Sequence, residues 1–270
     1  MFSIIKSGMA SAMHDLSIIS NNVANSNSNG FKKSLASFAD LGAGRSAETL
    51  ASKAAGQGVL VEDKRLSFSQ GSIVQTEQKT DLALQGNGYF ILRNPNDAGV
   101  SFSRNGSFAL DANGFLKTDD NCFVLGTPLI DGAFAPDAAA IDALLPIRVP
   151  GTLNEAPISD LSITENGQIT AKYGNQEAVP LGAITLGVFS NPAGLLELGN
   201  SRFGISDNSG NLTLGAPTDA GYATLLSGGL ETSNVEITEE LTAMIKAQQQ
   251  FNGSARIMQT NSDMIEKLTR

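Results

Sequence analysis

The chain is poor in the residues on which most enzymatic and metal chemistry depends. One histidine and one cysteine occur in 270 residues, and tryptophan is absent. A single cysteine excludes an intrachain disulfide and any multi-cysteine metal site. Cys122 opens the apolar run Cys122-Phe-Val-Leu, which suits a small buried hydrophobe better than a reactive thiol. A Ser/His/Asp triad would have to use His14, and no G-x-S-x-G elbow exists to hold its nucleophile. Charge is also scarce, at 17% of residues, and it is unbalanced: 27 acidic side chains against 18 basic give a net of −9. Without a Lys/Arg-rich block, the chain is a poor candidate for nucleic acid or an anionic membrane surface, and neither is expected as a partner. No apolar run approaches the roughly 18 residues of a membrane span. No cleaved secretion signal is visible either: Lys6 is the one early base, and Ser3, Ser7, Gly8, Ser11 and His14 interrupt any apolar core. The expectation is a cytoplasmic protein or one that leaves by a route needing no cleaved signal.

What remains for chemistry is carboxylates and glycines. Glu62-Asp63, Asp119-Asp120 and Glu239-Glu240 are adjacent pairs, but neighbours point apart on a strand and diverge on a helix. They read as solvated faces rather than acid/base dyads. Gly86-Asn-Gly88 lacks the third glycine of a dinucleotide fingerprint and lies between strand-like runs. Asp111-Ala-Asn-Gly114 lacks the later ligands of a calcium loop and reads as a turn. No metal or cofactor is expected, and no enzymatic activity.

Two amphipathic stretches occupy opposite ends of the chain. Phe2, Ile5, Met9, Ala12, Leu16, Ile19 and Val23 alternate steps of three and four, as do Ile237, Leu241, Met244, Gln248, Phe251, Ala255, Met258, Ser262 and Ile265. Such spacing keeps one seam facing a partner helix. The first helix should end in Asn25-Ser-Asn-Ser-Asn-Gly30, since Asn and Gly tolerate the left-handed conformation that stops helices. The second should begin near Ser233, with Glu236 completing a capping box and Lys267 and Arg270 at its negative end. At about 30 residues it would span roughly 45 Å. Gly253 weakens its middle by on the order of 1 kcal/mol relative to Ala. Ile245, Ile257, Met264 and Leu268 widen its apolar face beyond what one partner helix covers, which implies several neighbours. Gln248 and Ser262 would then be seam positions that set register.

Between the helices the period changes to two. Leu41 to Gly58 is rich in Ala, Gly and Ser and reads as a mobile linker. From Val59 onward short alternating runs are divided by Asn105-Gly106, Asn113-Gly114 and Asn166-Gly167, which read as two-residue hairpin turns. Pro128, Pro136, Pro146 and Pro150 predict irregular connections, with one helical turn within Ala138–Leu145. The fold class is α+β: terminal helices paired as a coiled-coil-like core, with a central antiparallel β domain inserted between them. The expected division is residues 1–30 plus 233–270 as helical core, 31–80 plus 215–232 as extended linker, and 81–214 as β domain. An ordinary helical hairpin packed on the β domain is the plainer reading of the same stripes.

Specific strings sharpen this. Ser20-Asn-Asn-Val-Ala-Asn25 followed by Gly30-Phe-Lys32, then Asp81-Leu-Ala-Leu-Gln-Gly-Asn-Gly-Tyr-Phe90 and Phe102-Ser-Arg-Asn-Gly-Ser-Phe-Ala-Leu-Asp-Ala-Asn-Gly114, and finally Leu230-Glu-Thr-Ser-Asn-Val235 resemble the motifs of the bacterial flagellar rod and hook proteins. The matching residues at the N-terminal motif are Asn21, Asn22, Asn25, Gly30 and Phe31. The resemblance implies an axial structural protein of the basal body. Its subunits would stack helically into a hollow tube that transmits torque and passes exported subunits. It also implies export by the flagellar type III apparatus and a place in the rod within the periplasm, among copies of itself and related axial proteins. The assembly seam would comprise Phe2, Ile5, Met9, Leu16, Ile19, Val23, Ile237, Leu241, Met244, Ile245, Phe251, Ala255, Met258 and Ile265. Length favours a longer rod protein, proximal ahead of distal, over a short hook protein. The contrasting class is a carboxylate-based enzyme acting on peptidoglycan, which would need two carboxylates converging in a cleft.

Overall fold

A computed structural model describes residues 2–40, 58–62, 64–95, 99–130, 133–134, 141–153, 156–174 and 176–269. The linker reading of 41–57, Asp63, Pro136, the first part of the helical turn at 138–140 and Arg270 lie outside the described residues. The chain forms two units: residues 1–26, 33–67 and 235–270 in one, and 27–32 with 68–234 in the other. The expected linker is thus divided, with 33–67 grouped with the helices and 215–232 with the strands.

In the helical unit α1 (Phe2–Ala24) and α2 (Ile237–Thr269) lie against one another. α1 closes with Asn25 N–H donating to Asn21 O at 3.1 Å, after which the chain leaves helical geometry as the Asn/Ser run predicts. α2 starts three residues later than a Ser233 cap would place it. Asn234, which would be the first helical residue, is held elsewhere: its N–H donates to Phe31 O at 3.4 Å and its Nδ2 to Ser69 O at 3.1 Å, following the Thr232 N–H bond to Ser72 O at 2.9 Å. The segment after α1, expected as extended linker, makes two short ladders: Ser34–Leu35 with Arg65–Leu66, and Phe38–Asp40 with Val59–Val61.

The β unit is an antiparallel sheet system. Its main path runs from Thr152–Leu153 through Ala156–Ile163, Gln168–Tyr173, Val179–Ile184, Phe123–Ile130, Tyr89–Arg93, Val100–Ser103 and Arg202–Gly204 to Leu196–Gly199. Phe90, Phe102, Leu92, Leu116, Ile169, Tyr173 and Ile184 are fully buried in it, and edge-on ring contacts such as Phe90–Phe108 at 5.0 Å fill its interior. Late strands close on early ones: Thr224–Ser227 pairs with Leu82–Gln85, and Gly229–Glu231 with Ile73–Gln75.

The Asn-Gly turns differ from the two-residue form. Thr164 N–H donates to Gln168 O and Gly167 N–H to Thr164 O, leaving a three-residue loop with Gly167 at φ +82°. Asp111–Phe115 repeats this with Gly114 at +80°, and Thr118–Cys122 with Asn121 at +59°. A two-residue turn needs two left-handed residues; these loops supply one, in the bulged three-residue geometry. Asp111 explains itself here: its carboxylate accepts from Asn113 N–H at 2.6 Å and pairs with Lys117 at 2.7 Å, chiefly the latter holding its pKa below the usual carboxylate range.

Candidate functional site

The N-terminal, β-domain and C-terminal motifs meet at one buried place within the β unit. Lys32 follows Gly30-Phe31, Arg104 lies in Phe102-Ser-Arg-Asn-Gly, and Glu231 follows Leu230. Their side chains are 1%, 6% and 0% exposed. Glu231 Oε1 accepts from Lys32 Nζ at 2.5 Å and from Gly71 N–H at 3.0 Å, while Oε2 accepts from Arg104 Nη1 at 3.2 Å. Lys32 Nζ also donates to Ser69 O at 2.8 Å, and Arg104 Nη2 to Gly86 O at 2.7 Å. The Arg104 guanidinium lies over the Tyr89 ring, 5.2 Å from its centroid. Burial pulls the Lys32 pKa down, against the Glu231 charge that raises it. Burial likewise pushes the Tyr89 phenol up to about 12, so it stays neutral. The cluster therefore holds two cations around one carboxylate, with Arg104 Nε lacking a hydrogen-bond partner. Desolvated charges of this kind persist only when paired and hydrogen-bonded. Gly30 completes the site from the chain side. It is buried at φ +66°, and a Cβ there would stand 2.4 Å from Asn105 N. Its N–H donates to Glu231 O at 2.8 Å.

A second, smaller network sits in the helical unit. Buried Asn22 donates to Ser34 O at 2.8 Å and to Glu240 Oε2 at 3.1 Å, and its Oδ1 accepts from Ser34 N–H at 2.9 Å. Asn22 thereby satisfies a strand and a helix together. Asn22→Ala should cost the helical unit roughly 1–3 kcal/mol, because Glu240 and Ser34 are left buried without their partner. Hydrogen exchange at Ser34 N–H checks this; unchanged protection there would count against it. Asn25 caps locally, donating to Asn21 O at 2.9 Å, and Asn21 is exposed while Phe31 is half-buried.

The predicted seam residues separate into two groups. Ile19 is buried, and Ile5, Met9, Leu16, Val23, Met244, Phe251, Ala255 and Met258 are half-buried. Phe2, Ile237, Leu241, Ile245 and Ile265 are exposed by 43%, 45%, 45%, 56% and 46%. Gln248 and Ser262 are exposed too, so neither sets register in the α1–α2 contact. Alongside Ile18 and Ile19, small residues are buried on the two helices. Ser11, Ala12 and Ala247 are buried, and a Cβ on Gly8 would reach Ser254 Oγ at 3.8 Å. Small side chains let helix axes approach closely; of these the stripe includes Ala12 and passes over Gly8, Ser11 and Ala247.

Lys32, Arg104 and Glu231 lie within the family motifs, but no local pattern marks them as a site. The one available signal was a charged residue inside each otherwise apolar or turn-forming string. Among the described residues no group of His, Cys, Asp and Glu could hold a metal ion. An open groove of about 630 Å³ beside the Thr164–Gln168 loop is lined by Ile163–Asn166, Thr218 and Leu225–Ser227, with Glu165 as its one carboxylate. A glycosidase needs two.

A split helical unit, an inserted antiparallel sheet and a charge cluster that ties motifs together rather than opening to substrate define a structural, assembly-type protein. The flagellar hook protein FlgE/F/G D1 domain matches residues 83–171, and the C-terminal domain of flagellar basal body rod FlgEFG proteins matches 226–270. The flagellar basal-body rod protein FlgG of Buchnera aphidicola subsp. Baizongia pistaciae is 30% identical, across 98% of this chain and 97% of its own. FlgG of Bacillus subtilis is 31% identical, covering 97% and 95%. The Escherichia coli hook protein FlgE is 24% identical in an alignment of 405 positions that spans 99% of this chain. The chain belongs to the flagellar rod and hook protein family.

Proposed function

We propose that this protein is a structural subunit of the flagellar basal-body rod, stacking helically with copies of itself and related axial proteins into a hollow, torque-bearing tube. What carries this reading is the end-to-end similarity at 30% identity to FlgG, a rod protein of nearly equal length. The hook protein needs a much longer alignment for a lower identity, which favours rod over hook. The protein is structural rather than enzymatic, as its similar proteins are.

The physical basis of assembly is the uncovered face of α2. Ile237, Leu241 and Ile245 form one exposed apolar stripe at four-residue spacing, and Ile257, Met264 and Leu268 form another, exposed by 58%, 58% and 80%. Covering such area contributes about 25 cal/mol per Å², and a head-to-tail contact that does not close on itself builds a filament. The heptad-like seam between terminal helices belongs to this assembled state, with neighbouring subunits supplying the partners that α1 does not. Export through the type III apparatus without a cleaved signal, and a position in the periplasmic rod, belong to the same reading. A chain with a single cysteine forms no intrachain disulfide to obstruct such passage.

The test is a strain whose own copy carries Leu241→Asp. Leu241 is exposed, so the purified subunit should fold normally while electron microscopy of isolated basal bodies finds rods that stop short. Full-length rods in that strain, or in one lacking the gene, would refute the reading.

A further inference from the structure

The chain passes between its two units at residues 26–27, 32–33, 67–68 and 234–235. On the β-unit side, the segments beside these crossings are bonded to one another. Lys32 ends the first segment, Ser69 and Gly71 open the second, and Glu231 and Asn234 end the third. Besides the Lys32, Gly71 and Arg104 bonds to Glu231, Asn234 Nδ2 donates to Ser69 O at 3.1 Å and Ser69 Oγ at 3.0 Å. Asn234 N–H donates to Phe31 O at 3.4 Å. Arg104 then joins this group to the end of the Val100–Ser103 strand and to Gly86 O.

We propose that Lys32, Glu231 and Arg104 form a mechanical clasp, binding the three connecting segments into one base so that load arriving along any of them is shared and delivered into the sheet. The load itself rests on the rod reading above; the clasp does not. Apolar contacts are non-directional and let segments slide, whereas ion-paired hydrogen bonds hold one geometry. Parting any one member leaves a charge buried and unpaired, so the segments open together or not at all. An ordinary packing role predicts no such coupling. The three members are 72 and 127 residues apart in sequence, so the clasp closes only in the folded unit.

The test uses the purified full-length chain and Lys32→Met, which leaves the Glu231–Arg104 pair in place. The amides of Gly30, Gly71, Thr232 and Asn234 should lose hydrogen-exchange protection together, by about tenfold or more. Those of Leu116 and Thr118, in the core of the same unit, should lose no more protection than the fall in its unfolding stability accounts for. Lys79→Met, which breaks the exposed Lys79–Asp160 pair, should leave all six unchanged. Loss confined to Gly30, or no loss, overturns the clasp. If Lys32→Met does not fold, Glu231→Asp serves with the same readout. Lys32→Arg, which keeps the charge, should restore protection. In cells, the ratio of Lys32→Met to wild-type swimming speed should fall as medium viscosity rises, with rods of normal length; a constant ratio overturns the mechanical role. Exchange is measured on free subunits, so its outcome is independent of whether the protein builds the rod.

Discussion

Replacing Glu231 by Gln is expected to lower the stability of the β unit by about 3–5 kcal/mol, the usual cost of breaking a buried ion pair by removing one partner. Gln keeps the shape of the side chain and one carbonyl oxygen, so the loss is electrostatic rather than a cavity. It strands two cations whose side chains are 1% and 6% exposed, and Arg104 already has one nitrogen unpartnered. Lys32→Met should cost less, roughly 1–3 kcal/mol, because the carboxylate keeps Arg104 and the Gly71 N–H. Replacing all three by methionine should recover much of the stability, since an apolar cluster of similar volume has no charge to desolvate. Urea unfolding reports this cleanly. The chain has three tyrosines and no tryptophan, and Tyr89, Tyr173 and Tyr222 all belong to the β unit. An ordering in which Lys32→Met is the more damaging change would mean that the carboxylate is not the centre of the cluster.

The second large effect is at Gly106. Gly106→Ala should destabilise the β unit by about 3 kcal/mol or more. A Cβ there would stand 1.7 Å from Leu82 O and 2.8 Å from Leu82 C, both backbone atoms. Leu82 cannot give way: it is fully buried, its N–H donates to Gly106 O at 3.0 Å, and its strand pairs with Thr224–Ser227. The neighbouring Phe90 ring, 3.2 Å from the same Cβ, closes the remaining direction. Gly253→Ala is the counterpart. Nothing lies within 4 Å of a Cβ at that position in α2, so the change should stabilise the helix by about 1 kcal/mol. Thermal unfolding of the two variants should move in opposite directions. A Gly106→Ala protein that melts with the wild type would show that the Leu82–Gly106 approach is not tight in solution.

Gly106 also illustrates how local signals mislead. Asn105-Gly106 carries the pattern of a tight hairpin turn, yet neither residue has positive φ among the described residues. The glycine is required by a carbonyl 24 positions earlier in the chain, and no dipeptide rule contains that carbonyl. Asn113-Gly114 and Asn166-Gly167 do mark hairpins, since their glycines are left-handed, although the loops hold three residues. The helices were legible for the same local reason. Three-and-four spacing and the Asn/Ser run placed α1 at its observed end, and Ile237 begins both the apolar stripe and α2.

The inward face of α1 was legible, since all of its stripe but Phe2 is buried or half-buried, whereas the stripe of α2 is half-buried at Met244, Phe251, Ala255 and Met258 and exposed at both ends. The stripes hold Ala12 but pass over Gly8, Ser11 and Ala247, whose small size matters only when another helix is present. The result leaves Ile237, Leu241 and Ile245 exposed, the stripe that the proposed rod contact would cover.

Composition, period and motif by themselves determined the kind of protein this is. They excluded an intrachain disulfide and multi-cysteine metal sites by count, divided the chain into terminal helices and a central antiparallel sheet, and pointed to a flagellar axial family. These are properties of single residues and short windows, where propensity and spacing act directly. Only the tertiary structure decided that Lys32, Arg104 and Glu231 share one buried site, with 199 residues between the first and the last. A charge in a sequence looks the same whether water or another charge will surround it. What distinguishes the two is desolvation, and that exists only once the late strand Gly229–Glu231 has paired with Ile73–Gln75 and carried its carboxylate between the two cations.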